Sequence, residues 1–412
     1  MRVIVVGNGI AGINTAAGLA AELSVTVDVY GGEAHPFYSR VRLPEVLSGA
    51  VGPEAITFYK PEWYEKKRVL VHQGRRVAGI DPDSKTVVLE DGRKESWDYL
   101  VLATGASANR PAIPGSDLPG IFTMRTLEDV SLIRASISAD CSASSVIGGG
   151  LLGLEAARAM KDSGSKEVRV FEIFPRLLPR QLDETGAALL QKRFAAMGIE
   201  VVTSAETSVF EPSRLSGCHE IKLKDGRSFA SATTLLSMGV HSNTELAKAA
   251  GLQVNRGIVV NERMETSRKG IYAVGDCAEF GGIVWGIIPA ALEQAPVAAK
   301  NILASAGLLP AGIDAPSYSQ TVPKTALKVG DVELMSLGKA VLSPEEAYSG
   351  KFTVFSKVSA DEKRYEKYVV DAETGLLAGV ILYGSKENQS LAQKLSGQPA
   401  SAADLETLLA KV

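Results

Sequence analysis

One pattern occurs twice in this chain and restricts its fold more than any other feature: an apolar strand, a turn spaced Gly-x-Gly-x-x-Gly and an alanine-rich helix. The first copy, RVIVVGNGIAGINTAAGLA, has its glycines at Gly7, Gly9 and Gly12. In such a turn the first glycine makes the tight bend, the second lets backbone N–H groups approach a pyrophosphate, and the third lets helix and strand pack closely. The phosphates then lie at the positive end of the helix. The first copy therefore predicts a dinucleotide-binding site.

An acidic residue follows the next strand of the first copy, VTVDVY. Glu33 lies about 20 residues beyond the last glycine, where a carboxylate can bind a ribose hydroxyl. The neighbouring glycines 31 and 32 blur the usual position of this acid, so Asp28 competes for the role. The sequence favours Glu33 and leaves Asp28 as the alternative.

The second copy, SSVIGGGLLGLEAARAMKDSGSKEVRVFE, repeats the same order with Gly148, Gly150 and Gly153, and its next strand ends in Glu172. A single spacing of this kind also occurs in ordinary strand–helix turns. Two complete copies in one chain make two adenine dinucleotides the simplest interpretation.

Glu172 predicts the nucleotide preference of the second site. Its carboxylate should accept hydrogen bonds from both ribose hydroxyls of an unphosphorylated adenosine and repel a 2′-phosphate, which favours NAD over NADP. A solvated acid at a strand end is the alternative interpretation. Arg176 and Arg180 lie nearby and could still contact a phosphate.

Two further segments indicate where domains meet. WDYLVLATGASANRPAIPG, residues 97–115, is an apolar strand that ends at Thr104 and Gly105, and SATTLLSMGVHSNTELAKAAGL, residues 231–252, repeats this form after the second copy. In both segments the chain turns away after the glycine, as expected where one domain ends and another begins.

A third strand, IYAV, precedes Gly275 and Asp276. A carboxylate at such a sheet edge can hold a polyol, which in a flavin cofactor is the ribityl chain. Downstream, a helix is predicted to begin near Pro289, and its N-terminus carries a partial positive charge. That charge could stabilise an anionic reduced flavin ring.

Charge, cysteine content and hydropathy exclude several classes of function. The 412 residues carry a formal net charge of −3, which favours neither nucleic acid nor an anionic membrane. Cys141, Cys218 and Cys277 are scattered without a CxxC spacing, so we predict no metal site and no disulfide framework, and interpret them as packing residues. We find no secretory signal and no apolar run of about 18 residues, and expect a cytoplasmic protein.

The order GNGIAG, LVLATGA, GGGLLGLE, VFE and YAVGDCAE resembles the two-dinucleotide flavoproteins of the pyridine nucleotide–disulfide oxidoreductase class, over roughly residues 1–305. YSRVRL and the C-terminal PKTALKVGDVELMSLG and VVDAETGLLAGVILYG are similar to NADH:rubredoxin reductases and to the NADH-dehydrogenase part of assimilatory nitrite reductases. The resemblance implies an α/β fold with two Rossmann-like domains, for FAD and NADH, arranged as in glutathione reductase, plus a small α+β C-terminal domain.

The resemblance also implies domain boundaries. We predict an FAD-binding domain of residues 1–108 and 240–312, an NAD(H)-binding domain of residues 109–239, and a C-terminal domain of residues 313–412. Apolar and polar residues alternate in the last of these, which predicts a small antiparallel sheet. Ser401 or Asp404 could cap its terminal helix.

Roles are carried over to the positions that match the family motifs. The residues expected to bind FAD are Gly7, Gly9, Gly12, Glu33, Arg40, Thr104, Gly105, Gly275, Asp276 and Pro289. The residues expected to bind NADH are Gly148, Gly150, Gly153 and Glu172.

Three residues are candidates for the chemistry itself. Glu155 corresponds to the acid that in relatives lies near the nicotinamide and the flavin, although an ordinary solvated helix residue is the alternative. Arg40 could offset negative charge at the flavin's pyrimidine edge, or lie at the surface. Lys328 is a candidate for the flavin's far face.

One departure from the class decides the expected electron path. Dithiol members carry a CxxxxC pair near this region, and single-cysteine members place their cysteine just before a Leu-Pro pair. Here Leu43 and Pro44 follow Val41 and Arg42. Without an attacking thiolate no thiol–disulfide exchange is possible at this place. Electrons are therefore expected to enter as a hydride from NADH and to leave directly from the flavin.

The acceptor is left open between several classes. The first hypothesis is an enzyme that reduces a small electron-carrier protein such as rubredoxin. A peroxide-forming NADH oxidase, with oxygen as acceptor, or the NADH-dehydrogenase component of a nitrite reductase is the second, and a flavin-binding redox regulator is the third. Basic clusters at 65–76 and 361–367 could steer an acidic carrier or be solvated faces. We expect a monomer or a homodimer.

Overall fold

The computed structural model describes residues 1–137, 143–215, 217–310, 312–321, 324–329, 331–410 and 412, with the backbone alone at 324–329. The chain divides into two compact units. The first comprises Met1–Arg40, Gly52–Ala108 and Gly239–Val322, and the second comprises Val41–Val51, Asn109–Met238 and Pro323–Val412. The three-domain division expected from the sequence stays a prediction.

The strands of the described residues are β1 (Arg2–Val6), β2 (Thr26–Tyr30), β3 (Val69–His72), β4 (Val77–Asp81), β5 (Thr86–Leu89), β6 (Lys94–Ser96), β7 (Tyr99–Leu102), β8 (Ala106–Ala108), β9 (Ile121–Phe122), β10 (Ala143–Ile147), β11 (Glu167–Phe171), β12 (Ile199–Val202), β13 (Thr207–Pro212), β14 (His219–Leu223), β15 (Ser228–Ser231), β16 (Thr233–Leu236), β17 (Val240–Ser242), β18 (Ile258–Val260), β19 (Ile271–Ala273), β20 (Ala278–Phe280), β21 (Lys324–Val329), β22 (Val332–Gly338), β23 (Phe352–Val358), β24 (Tyr365–Asp371) and β25 (Leu377–Tyr383).

The α-helices of the described residues are α1 (Ile10–Leu19), α2 (Leu43–Leu47), α3 (Pro61–Lys67), α4 (Leu127–Ile137), α5 (Leu151–Asp162), α6 (Glu184–Ala196), α7 (Glu245–Ala249), α8 (Ile288–Ser305), α9 (Pro344–Tyr348), α10 (Gln389–Leu395) and α11 (Ala402–Leu409). In this part of the chain we find no helix long and apolar enough to cross a membrane.

The first unit is built on a parallel sheet in the order β19-β7-β1-β2-β3. Strand β1 is apolar and almost fully buried, as a central parallel strand covered on both faces must be. Helices α1 and α8 pack against each other in this unit. The first glycine turn begins where β1 ends, and the N–H of Gly7 donates to the carbonyl oxygen of Tyr30 at 2.9 Å.

The second unit repeats this construction with the parallel sheet β12-β11-β10-β16-β9. The N–H of Gly148 donates to the carbonyl oxygen of Phe171 at 2.7 Å, so both glycine turns leave their sheets in the same way. The expected α/β class with two parallel nucleotide-binding sheets is confirmed.

The C-terminal residues form an antiparallel sheet in the order β21-β22-β25-β24-β23, as the alternating pattern predicted. Its buried face packs against α10 and α11. Ser401 caps α11, because its side chain accepts the N–H of Asp404. Of the two expected caps, the structure therefore selects Ser401.

Helix α6 is tied to this sheet by ion pairs within the second unit. Asp183, the residue before α6, accepts hydrogen bonds from Lys367 Nζ at 2.9 Å and Tyr365 Oη at 2.7 Å. Both side chains of the Asp183–Lys367 pair are nearly buried, whereas the Lys192–Glu362 pair further along is exposed. Burial of the first pair predicts that its removal is costly.

Candidate functional site: two nucleotide cradles

The first glycine turn has a different spatial requirement at each of its three positions. Gly7 has φ 121°, and a Cβ added there would lie 2.0 Å from the carbonyl oxygen of Ala103. A Cβ on Gly12 would lie 2.0 Å from the carbonyl oxygen of Gly7. A Cβ on Gly9 meets nothing within 4 Å. The first and third glycines are therefore required by the fold, while the second borders open space at the start of α1.

The second turn shows the same arrangement. Gly148 has φ 116°, and its added Cβ would lie 2.3 Å from the carbonyl oxygen of Ser237, while that of Gly153 would lie 2.1 Å from the carbonyl oxygen of Gly148. A Cβ on Gly150 meets nothing within 4 Å. Both turns thus leave open space where a pyrophosphate approaches the N-terminus of a helix.

Asn8, between the first two glycines, is a feature that motif reasoning missed. Its Nδ2 donates to the carbonyl oxygen of His35 at 3.3 Å. Its Oδ1 is buried and accepts no hydrogen bond from the described residues. A buried acceptor without a partner fits a site completed by a ligand, because such groups are otherwise satisfied within the protein. The GNG sequence itself was the signal that could have found it.

The register of the first sheet separates the two acids that competed for the ribose. Asp28 lies in the middle of β2, is 4% exposed, and pairs with Arg2 and His72, both at 2.8 Å. Glu33 lies beyond the end of β2, on the side where the glycine turn begins. The structure therefore favours Glu33 as the acid available to a ribose.

Glu33 is not isolated. Tyr38 donates its Oη proton to Glu33 Oε2 at 2.5 Å, and Arg40 forms an ion pair with the same carboxylate. Burial lowers the pKa of Arg40, but the carboxylates of Glu33 and Asp276 and the Tyr38 hydroxyl outweigh burial and raise it. Arg40, Glu33 and Asp276 thus form one electrostatic cluster in the first unit, and Arg40 is partly enclosed rather than a free surface residue.

Thr104 and Gly105 lie in the short connection between β7 and β8. The Oγ1 of Thr104 donates to the carbonyl oxygen of Asn243 at 2.7 Å, and Asn243 Nδ2 donates to the carbonyl oxygen of Thr104 at 2.9 Å. Gly105 has φ 71° and open space beside it. Asn243, which sequence reasoning missed, locks the two connecting segments of the first unit together.

Gly275 brings Asp276 to the start of α1. Its φ is 78°, and a Cβ there would lie 2.7 Å from the Cβ of Ala11. The N–H of Gly275 donates to the Oε1 of the buried Gln294 at 2.8 Å. Pro289 is the second residue of α8, which begins at Ile288. The residues expected to bind FAD in this part of the first unit therefore lie on elements that contact one another.

Glu172 is held by the backbone of the second site. It is 5% exposed; its Oε2 accepts the N–H of Gly149 at 2.7 Å, and its Oε1 accepts the N–H of Phe174 at 2.9 Å. The alternative of a solvated acid is wrong. Arg176 donates to the carbonyl oxygens of Leu182 and Pro179, so its guanidinium is engaged by the fold.

Glu155 lies on α5, two residues after Gly153. Burial raises the pKa of its carboxyl group, and the nearby charge of Glu45 raises it further, to about 7. The side chain is partly buried, which argues against an ordinary solvated head. Lys328 lies on β21, whose backbone pairs with β22, and its side chain is outside the described residues.

The cysteines have different roles. Cys277 is fully buried, and its Sγ donates weakly to the carbonyl oxygens of Leu102 and Val274; burial raises the pKa of this thiol, as expected for a packing residue. Cys218 is disulfide-bonded, so its interpretation as a packing residue was wrong. The spacing of three cysteines does not reveal pairing, which depends on tertiary proximity. Cys141 lies outside the described residues.

The two glycine turns at residues 7–12 and 148–153, called cradles here, each lie at the carboxyl end of a parallel sheet and are each followed by an acid. This arrangement defines a protein of the two-nucleotide oxidoreductase class. The chain belongs to the family described as pyridine nucleotide-disulphide oxidoreductase, whose model matches residues 1–301. FAD and NADH, the cofactors that the sequence predicted, are those of this family. The protein is an oxidoreductase of this family.

Relatives with different acceptors in their names resemble this chain to a similar degree. A nitrite reductase [NAD(P)H] of Bacillus subtilis is 34% identical over 93% of this chain and 45% of its own length. An NADH oxidase of Methanocaldococcus jannaschii is 35% identical over 83% of this chain and 77% of its own length.

A third relative, the NADH-rubredoxin oxidoreductase of Clostridium acetobutylicum, is 32% identical over 82% of this chain and 81% of its own length. The crystal structure of the NADH:rubredoxin oxidoreductase from that organism matches all of this chain and 99% of that chain, with 28% identity and a TM-score of 0.77. Toward the first curated relatives, by contrast, the chain spans about half of their length.

Proposed function

We propose that this protein transfers electrons from NADH through FAD to a small electron-carrier protein of the rubredoxin type, without a sulfur relay. The observation that carries the proposal is the segment before Leu43 and Pro44, where Val41 and Arg42 stand in place of a thiol. Cys277, the free cysteine of the described residues, is buried and cannot substitute. The similarity to an NADH-rubredoxin oxidoreductase along most of both chains supports the same acceptor class.

The residues of the chain have separate tasks in this proposal. The open turns at Gly9 and Gly150 receive the pyrophosphates, and Glu33 and Glu172 hold the two adenosine riboses. Asp276 would bind the ribityl chain, and the partial positive charge at the N-terminus of α8 would stabilise negative charge on the reduced flavin ring. When bound, FAD supplies the conversion between two-electron and one-electron transfer. The protein supplies binding and orientation.

The acceptor is tested by anaerobic reduction followed by reoxidation. The FAD-loaded protein is mixed with NADH without oxygen, and the bleaching of flavin absorbance is followed. Rubredoxin or air is then added, and the rates of reoxidation are compared. Faster reoxidation by rubredoxin than by air supports the proposal. Faster reoxidation by air would instead indicate an NADH oxidase, and slow bleaching would indicate a redox regulator.

Changing Glu172 to arginine is expected to reverse the nucleotide preference. The substitution removes the acceptor for the ribose hydroxyls and adds a cation for a 2′-phosphate, so the kcat/KM for NADH should fall at least about 50-fold, equal to about 2.3 kcal/mol, while that for NADPH rises relative to it. The measurement is steady-state reduction of ferricyanide with either nucleotide.

Glu172→Gln is the matched control, because the amide oxygen can still accept one of the two backbone N–H groups. This variant should lose NADH affinity without gaining NADPH. An unchanged preference in Glu172→Arg would contradict the placement of the second ribose.

A further inference from the structure

A short segment belongs to the second unit although the chain on both sides of it belongs to the first. Val41–Val51 contains α2, and α2 lies against α4 and α5. This segment holds the Leu-Pro pair where thiol-bearing relatives have a cysteine. Its placement beside the second nucleotide cradle suggests a task other than sulfur chemistry.

Two side chains of the second unit bind the C-terminal end of α2. The Oγ of Ser163 donates to the carbonyl oxygen of Leu47 at 2.5 Å, sharing its proton with a carbonyl of α5. Arg134 Nη1 donates to the carbonyl oxygen of Val46 at 3.2 Å. The last carbonyl groups of a helix have no partner within it, so these contacts satisfy them from neighbouring helices. They fix the position of α2.

The fixed helix carries one acidic side chain, Glu45. Glu45, in the first turn of α2, forms an ion pair with Arg42 at 2.7 Å. Burial is the main cause of the raised pKa of the Glu155 carboxyl group, and the negative charge of Glu45 raises this pKa further. Like charges that face each other favour the protonated form of one of them.

The other charged groups on the elements packed against α5 are engaged elsewhere. Their pairs are Arg158 with Asp162, Arg169 with Glu167 and Glu200, Lys161 with the carbonyl oxygen of Lys166, and Arg134 with that of Val46. Strand β21 also lies against α5, and the side chains of its Lys324 and Lys328 are outside the described residues.

We propose that α2 is a positioning element for Glu155: Ser163 and Arg134 hold this helix against α5, so that the Glu45 carboxylate acts, together with burial, on the Glu155 carboxyl group. The consequence concerns the release of oxidised nucleotide; it rests on the proposed function and on the family resemblance, which implies that the nicotinamide lies near Glu155. The nicotinamide ring is positively charged only after oxidation. An ionised Glu155 would hold NAD⁺ by charge attraction, whereas a protonated Glu155 releases it.

The test is the affinity of the FAD-loaded protein for NAD⁺, measured by fluorescence titration between pH 5.5 and pH 8.5 with NADH as the comparison. We expect NAD⁺ to bind more tightly as the pH rises through about 7, where Glu155 ionises, and NADH to follow this change much less. Glu155→Gln should remove the inflection.

Glu45→Gln should move the inflection at least about half a pH unit lower, because it removes the negative charge that helps to raise the pKa of Glu155. Ser163→Ala changes no charge, yet it should move the inflection the same way by releasing α2. Glu211→Gln, a distant carboxylate paired with Lys222 on the β13–β14 hairpin, is the matched control and should leave it in place.

An inflection that stays in place in both Glu45→Gln and Ser163→Ala while Glu155→Gln abolishes it would overturn the positioning role and leave the electron-transfer function intact. An inflection that survives Glu155→Gln would overturn the placement of Glu155 as well.

The stability of the protein gives a readout without nucleotide. Because the pKa of Glu155 is raised, its contribution to stability is full below an ordinary carboxyl pKa and is lost as the pH rises through about 7. The Glu155→Gln variant should therefore become more stable than the wild type as the pH rises through about 7. The Glu45→Gln variant should lose less stability than the wild type over the same pH range.

Discussion

Replacing Gly9 with alanine is expected to yield a folded protein that binds FAD at least about 100-fold more weakly, a loss of about 2.8 kcal/mol. The backbone at Gly9 has φ −92° and ψ −174°, which alanine adopts readily, and an added Cβ meets nothing in the protein. The methyl group instead occupies the space through which the backbone N–H groups approach the pyrophosphate. Flavin absorbance per polypeptide measures the loss.

Gly150→Ala is the matched variant, since it makes the same change at the same motif position of the second turn, where φ is −78° and the space is equally open. It should retain FAD and raise the KM for NADH by at least about 50-fold. Thermal unfolding of both apoproteins should stay close to the wild type. Loss of FAD from both variants, or from neither, would contradict the assignment of one nucleotide to each turn.

Changing Lys367 to methionine should lower the free energy of unfolding of the second unit by about 3 kcal/mol, because it leaves the nearly buried Asp183 carboxylate without its cation. Burial raises the pKa of Asp183, but hydrogen bonds from Tyr365, Lys367 and Gly186 outweigh it and lower the pKa overall. The stability that this lowered pKa represents is present above the ordinary carboxyl pKa and is lost as the pH falls through the lowered value. Urea unfolding at pH 7 and in acid measures both effects.

The exposed pair Lys192–Glu362 provides the control, because it also joins α6 to the C-terminal sheet. Lys192→Met should cost no more than about 0.5 kcal/mol. In acid the wild type and Lys367→Met should converge as Asp183 is protonated. Equal losses for the two lysine variants at neutral pH would show that burial of the Asp183–Lys367 pair does not matter.

The fold was predictable largely because its signals are local. A buried apolar strand, a tight glycine turn and an alanine-rich helix are read from neighbouring residues. In both copies, a Cβ added to the first or third glycine would lie at about the same short distance from a backbone carbonyl oxygen. The C-terminal sheet followed from alternation in the same way. The disulfide at Cys218 did not, because nothing near it in sequence indicates which residue lies beside it in space.

Within the candidate site, the residues that make the turns were predictable and their partners were not. Asn243 and Gln294 hold Thr104 and Gly275 from elements far away in sequence. Asn8 carries a buried acceptor that no periodicity reveals. Such contacts depend on how separate strands and helices meet.

The sequence by itself determined the two cradles, the acids that follow them and the absence of a thiol before Leu43, since these are properties of residue type and spacing along the chain. Only the tertiary structure bears on the choice between Asp28 and Glu33, because the choice depends on strand register and on burial: Asp28 lies in the middle of β2 and is almost fully buried, whereas Glu33 lies beyond the end of that strand. It also decided the proton affinity of Glu155, because desolvation and the charge of Glu45 act through space. Local geometry repeats wherever its residues repeat, whereas burial and electrostatic fields exist only once the chain has folded.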